Sequence, residues 1–363
     1  MNNEAFELLC TISKIPAPSN DEGLRAEFIK NWLENIGAKD VYVDDALNVI
    51  YSVGDSDKPL VIFMAHSDVV FPDKTELPLE IRDGKIYCPG VGDDTAHIVS
   101  MLMVIKEIVQ KGKKPEDKRV MFVINSGEEG LGNLKGSRKI MEDFGKDTVE
   151  FITFDGALPY LHRDPVGSKR FNVEVKTNGG HSYQAFGEKN AIACLSKLVC
   201  EYYKTEVPAE GKTTYNVGTI SGGTSVNTIA QNASALFEYR SDKKSGLDFM
   251  QSQFDKIIDK YKNEFDITVT VVGDRPCANG VDKTAHDNLC KRAAAAVKRV
   301  YGDAKFIPGS TDCNVPASLG IPAVCVPCVV TEGAHTRGEW VEIASIDGGI
   351  EIARELIMYH FGE

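Results

Sequence analysis

A chain of 363 residues with 42% hydrophobic residues is long enough to bury the cores of two domains, and disorder is not its default. Its 53 acidic against 41 basic residues give a formal net charge of -12, which argues against a nucleic-acid partner. No run approaches the ~20 uninterrupted apolar residues of a membrane span, the amino-terminal stretch lacks the basic start and apolar run of a signal peptide, and nine scattered cysteines suit a reducing compartment, so a soluble cytoplasmic protein with no membrane partner is expected.

In chain order, residues 4–15 and 23–37 carry helical periodicity and lead into strand-like runs at 41–53 and 59–70. A helix is predicted over 96–112, a strand over 119–126, then a short helix and a strand over 150–156. Buried strands alternating with helices predict an α/β architecture whose central, mostly parallel sheet is flanked by helices. From about Phe171 the rhythm changes to strand, helix, two strands, helix, strand, the βαββαβ order of an inserted ferredoxin-like module. A helix over 285–302, a strand over 321–330 and a closing helix over 342–361 resume the first domain. Clusters of Gly, Pro and Asp near Gly167 and Arg275 set the expected boundaries: 1–167, the insertion 168–275, and 276–363. Cys325 and Cys328 form a CxxC, but without a second pair or a nearby His it reads as buried small hydrophobes.

The candidate ligands each follow an apolar strand, at the edge where α/β sheets bind ligands. His66 and Asp68 close VIFMAHSDVV. In extended chain, residues i and i+2 point the same way, so Asp68 can orient the imidazole, although His-x-Asp also fits a surface turn. Asp93 and Asp94 follow a Gly-rich turn in GVGDDTAH, a pattern that equally describes a helix N-cap. Glu128 and Glu129 in INSGEEG diverge on the backbone, so one can bind a metal while the other faces substrate; an acidic helix start is the alternative. Asp155 in FITFDG and His335 in GAHTRGEW complete a set of two histidines and at least three carboxylates. That mixture suits Zn2+ and suffices for two ions if one carboxylate bridges them. The joint placement at strand ends outweighs the separate alternatives, and neither a GxSxG elbow nor a GxGxxG after the first strand offers another chemistry.

The ordered segments AHSDVV, GVGDD, SGEEG, FDG, NGGHSY, GGTSVNTIA, FEYR, GSTDCN and GAHTRGEW resemble those of the di-zinc hydrolases that include peptidase T, carboxypeptidase G and acetylornithine deacetylase, over essentially the whole chain. The resemblance implies two Zn2+ per chain, with Co2+ or Mn2+ as substitutes. It implies that His66 and Asp155 hold one ion, Glu129 and His335 the other, and Asp93 bridges them. Asp68 then orients His66, and Glu128 is the general base for attack by a zinc-bound hydroxide. A cis peptide between Asp93 and Asp94 is also implied. The insertion becomes a lid and homodimerisation domain whose His181 reaches toward substrate in the partner subunit. Asn227 and Arg240 match positions that bind substrate carboxylate or carbonyl oxygens, and Asp312 matches a segment near the substrate. The chain departs from a common pattern of the family at Thr95-Ala96-His97, where Lys-Gly or Lys-Ala often stands. His97 is therefore either an extra polar group by the site or a packed residue. The implied activity is hydrolysis of an amide or peptide bond in a small substrate, closest in look to peptidase T-like aminopeptidases or dipeptidases acting on short peptides. An N-acyl amino acid deacylase on the same metal centre is the alternative. A relative that only binds small molecules is the alternative of another class, against which the intact Glu128 and ligand set argue.

Overall fold

The computed structural model of the chain describes residues 2–130 and 132–363. They divide into two compact units, Met1–Pro165 with Asn279–Glu363, and Val166–Ala278.

In the larger unit an eight-stranded sheet runs in the order Tyr42–Val43, Val49–Val53, Arg119–Asn125, Leu60–His66, Thr148–Phe154, Ala323–Val326, Tyr160–Pro165, Lys305–Gly309. Its centre is parallel: Leu60–His66 lies between Arg119–Asn125 and Thr148–Phe154, and the latter pairs with Ala323–Val326. Strands covered on both faces must be apolar at successive positions rather than at every second one, and LVIFMAH is buried throughout. Val61, Phe63 and Ala65 share one core with the apolar sides of helices Asn3–Lys14, Ala96–Lys111, Lys283–Val300 and Ile346–Met358, while Ile62, Met64, Met121 and Phe151 are buried on the opposite face. Complete burial of one such side chain, Phe63 for instance, contributes about 1.5–3 kcal/mol. The register pairs His66 with Asn125 and Phe154 with Val326, so the carboxyl ends of the central strands reach one edge.

The structure differs from the sequence pattern in several places, among them a small unforeseen sheet of Thr331–Glu332, Trp340–Glu342, Lys85–Tyr87 and Glu80–Arg82. The run 41–53 is two antiparallel strands, because Asp44 folds the chain between them by accepting the Ala46 and Asn48 amides, each at 2.9 Å. The run 321–330 contributes only the strand Ala323–Val326. Strands Tyr160–Pro165 and Lys305–Gly309 were not foreseen, since on the outer side of the sheet they need no continuous apolar run and each accommodates a proline.

In the smaller unit a four-stranded antiparallel sheet has the order Thr213–Gly222, Asn232–Ser241, Gly167–Lys176, Asp266–Arg275, with helices Ala191–Tyr202 and Lys244–Tyr261 in the connections. This is the ferredoxin-like arrangement of a βαββαβ chain. Alternation puts Phe171, Val173, Val175, Ala235, Phe237 and Tyr239 into its core, where Phe171 stacks on Phe254 with ring centroids 4.2 Å apart.

Candidate metal centre

His66 ends its strand 1% exposed. Its Nε2 lies 3.0 Å from Asp93 Oδ1, and its Nδ1 lies 3.1 Å from the Asp68 carbonyl and 3.4 Å from Asp68 Oδ1. The expected contact between Asp68 and the imidazole is thus shared with the Asp68 backbone. The Asp68 carboxylate has further work: its Oδ1 accepts the Glu128 amide at 2.9 Å, and its Oδ2 accepts the Glu129 amide at 3.1 Å and the Ser19 hydroxyl at 2.7 Å. Burial raises the Asp68 carboxyl, but the His66 ring and these donors outweigh it and hold the group below the ordinary range.

Asp93 and Asp94 stand in the turn Val91–Thr95 and are joined by a cis peptide bond. They do not cap the helix Ala96–Lys111, whose N-cap is Thr95. Asp93 Oδ2 faces His335 Nε2 at 3.2 Å, and Asp94 Oδ2 accepts the His66 amide at 2.8 Å. Glu128 and Glu129 sit in the turn ahead of helix Lys135–Phe144, both nearly buried, and Glu129 Oε1 lies 3.0 Å from His335 Nε2. His335 itself is exposed and takes a left-handed backbone, with φ 64°. Asp155 follows the strand Thr148–Phe154, its amide 3.3 Å from the Val326 carbonyl.

These side chains form three overlapping groups whose ligand atoms lie within 4.8 Å of one another: Asp93, Glu129 and His335; His66, Asp94 and Asp155; and His66, Glu128 and Glu129. The first matches the expected second-ion set. In the second, Asp94 stands where Asp93 was expected beside Asp155, although His66 also touches Asp93.

The chemistry of the donors fits divalent cations. Burial, Asp94 and Asp93 push the Asp155 carboxyl well above the carboxylate range, and burial does the same to Asp94. Asp94 Oδ1 is buried without a hydrogen-bond partner among the described residues. The Asp93 and Glu129 carboxylates drive His335 up to about 10. Protons held this way are what a divalent cation displaces when carboxylates and imidazoles become ligands. His97 is fully buried, its Nδ1 2.7 Å from Asp94 Oδ1 but out of line for a hydrogen bond, and burial lowers it to about 4. It is a packed residue that touches the site through Asp94.

Asp312 is 1% exposed and accepts Asn125 Nδ2 at 2.7 Å, so it is held at a strand end rather than presented on an open face. His181, Asn227 and Arg240 belong to the smaller unit. Gly180–His181 pairs with Thr228–Ile229, and the Ser182 amide donates to the Asn227 carbonyl at 2.9 Å, which brings His181 and Asn227 together. Arg240 lies at the far end of strand Asn232–Ser241, roughly 25 Å along it, opposite Ser168 and ion-paired with Glu238 at 2.8 Å.

Sequence reasoning missed Ser19, Arg25, Asn125 and Glu339. Arg25 is wholly buried and donates to the carbonyls of Ile15 and Ser67 and to Thr95 Oγ1. Glu339, 1% exposed, accepts the amides of Gly90, Gly92 and Asp93 at 2.7–2.8 Å. Burial and the Asp93 charge push it up to about 7 against those three donors. Only its place four residues after His335, before the apolar Trp340 and Val341, could have pointed to it.

A profile of peptidase family M20/M25/M40 matches residues 62–359. A succinyl-diaminopimelate desuccinylase of Paraburkholderia xenovorans is 27% identical over 310 residues, 79% of this chain and 79% of that protein. The fold is similar to a tripeptidase of Staphylococcus aureus (TM-score 0.80) and to the aminopeptidase PepT of Bacillus cereus (TM-score 0.76), each 20% identical and each alignment covering 99% of both chains.

Proposed function

From its membership of peptidase family M20/M25/M40, which makes it a metal-dependent amide hydrolase, we propose that this chain is a two-zinc aminopeptidase or dipeptidase acting on short peptides. The observation that carries the reading is the convergence of His66, Asp93, Glu129, Asp155 and His335 at one sheet edge with Glu128 among them. His66, Asp155, Glu129, His335 and Asp93 would hold two zinc ions there, which would acidify a water and polarise the scissile carbonyl. Glu128 takes the proton of the attacking water and returns it to the departing amine. Asp68 fixes the backbone of Glu128 and Glu129 through their amides, so the base and its neighbouring ligand are aimed together. Asp312 secures the strand end before them through Asn125.

We read residues 166–278 as the lid and homodimerisation domain, in which His181 and Asn227 serve the partner subunit's substrate and Arg240 binds a carboxylate or carbonyl oxygen through its guanidinium fork. Their separation within the unit supports two sources: Arg240 stands at the end of the sheet where the chain enters and leaves, His181 and Asn227 at the other. The likeness of fold to PepT and a tripeptidase supports a peptide substrate and a peptidase T-like enzyme, and the scattered cysteines support a cytoplasmic setting. The desuccinylase relative supports the second reading, removal of an acyl group from an N-acyl amino acid. Assaying di- and tripeptides against N-succinyl and N-acetyl amino acids with the Zn2+-loaded protein separates them. Turnover confined to the acyl substrates would overturn the peptidase reading and leave the metal centre standing.

A further inference from the structure

We propose that Glu339 is a positioning residue for the metal centre, fastening the turn that carries Asp93 to the loop that carries His335 so that both reach the same cation; this rests on the metal-centre reading above. Glu339 is tied by sequence to His335, four residues before it, and by hydrogen bonds to the Asp93 turn: Gly90 N to Oε2 at 2.8 Å, Gly92 N to Oε1 at 2.7 Å, and Asp93 N to Oε1 at 2.8 Å. Three amides of one turn closing on one carboxylate make a backbone nest, an anion site filled here by the chain's own side chain. The turn is shaped for it. Gly90 takes a left-handed φ of 75°, and a Cβ there would stand 2.2 Å from Val69 Cγ1. A Cβ on Gly92 would stand 1.9 Å from Thr331 Oγ1. The other side of the same turn is held by Thr95, whose hydroxyl donates to the Gly90 carbonyl at 2.6 Å and accepts Arg25 Nη1 at 3.3 Å, while Arg25 also donates to the Ser67 carbonyl beside His66. One buried network therefore joins the segments bearing His66, Asp93 and His335.

The placement of the charge distinguishes positioning from plain packing. Packing alone needs no charge here, yet a second buried carboxylate stands behind Asp93, where it adds repulsion unless cations occupy the centre. Partners behind a ligand typically change metal affinity or activity by ~10–100-fold when removed.

The test is Glu339→Gln, nearly isosteric but unable to accept all three amides, titrated with Co2+ in a metal buffer and followed by visible absorption and by bound-metal stoichiometry. The expected result is one site weakened ~10–100-fold, with an altered Co2+ spectrum, and kcat recovering at saturating metal. Glu332→Gln, an exposed carboxylate of the same segment, should titrate like the parent. Parental affinities and spectrum in folded Glu339→Gln would overturn the proposal and leave the metal centre intact. If that variant fails to fold, Glu339→Asp, which keeps the charge but withdraws it by one methylene, is titrated instead, and parental binding there overturns it equally. A parent chain that binds no pair of cations overturns the metal-centre reading and this proposal with it.

Discussion

Glu128 and Glu129 are chemically identical neighbours given different surroundings. Glu129 meets His335 at 3.0 Å within a ligand group that includes Asp93, whereas Glu128 joins a group with His66 and Glu129 alone. Glu128→Gln is expected to retain both metals while losing ~10²–10⁴ in kcat, the usual worth of a general base. Glu129→Gln should lose metal as well as rate. Metal analysis beside steady-state kinetics decides, and the opposite pattern would exchange the two roles. Asp68 makes a second case at this scale. Its two oxygens accept both glutamate amides and a hydroxyl, so an amide at this position must turn its NH2 toward at least one N–H or O–H donor. Asp68→Asn should therefore cost ~10–100-fold in kcat or metal affinity with the fold intact; an unchanged variant would show that the Asp68 backbone carbonyl alone orients His66. At the residue scale the candidate ligands were legible from strand-end position, since His66, Asp93, Glu129, Asp155 and His335 each follow an apolar run or a Gly-rich turn. Glu339 was not, because its partners are amides nearly 250 positions away.

Elements are held to one another by specific polar contacts as well as by the shared core. Glu107 of helix Ala96–Lys111 accepts Arg354 of helix Ile346–Met358 through both oxygens, at 2.9 and 3.1 Å, and also accepts Lys111 at 2.8 Å. The Arg354 bonds, opposed by burial and helped by Lys111, hold its carboxyl down to about 2. An unfolded glutamate titrates near ~4.3, so the folded chain binds fewer protons between these values. The stabilisation is complete above pH ~4.3 and is lost as pH falls toward 2. Glu107→Gln should therefore be less stable than the parent at neutral pH, with the deficit shrinking as pH drops from ~5 to ~3. Parallel stability curves in urea across that range would refute the assignment. The strands of the sheet's centre were legible as continuous apolar runs. Tyr160–Pro165 and Lys305–Gly309 were not, because their pairing comes from neighbours remote in sequence rather than from their own pattern.

At the scale of the whole molecule, the proposed exchange of His181 between subunits has a decisive consequence. In a mixed dimer of His181→Ala with Glu128→Ala, one active site carries both defects and the other neither, so two inactive variants should regain measurable activity on co-assembly. Verified heterodimers that stay inactive, with each variant folded and metal-loaded, would place His181 in the service of its own chain. The class of fold followed from the sequence by itself, because the burial of both sheet faces writes itself into composition as unbroken apolar strands and the βαββαβ order of the insertion is a matter of succession alone. The side chains proposed as metal ligands were also marked by the sequence, since strand ends expose their next residues. What only the tertiary structure decided is which of those side chains meet: that Asp94 stands with His66 and Asp155 while Asp93 touches both His66 and His335, that Asp68 grips two amides, and that Glu339 closes the Asp93 turn. Those choices depend on distances of 2.8 to 4.8 Å between residues tens to hundreds of positions apart, and only the packing of the sheet sets such distances.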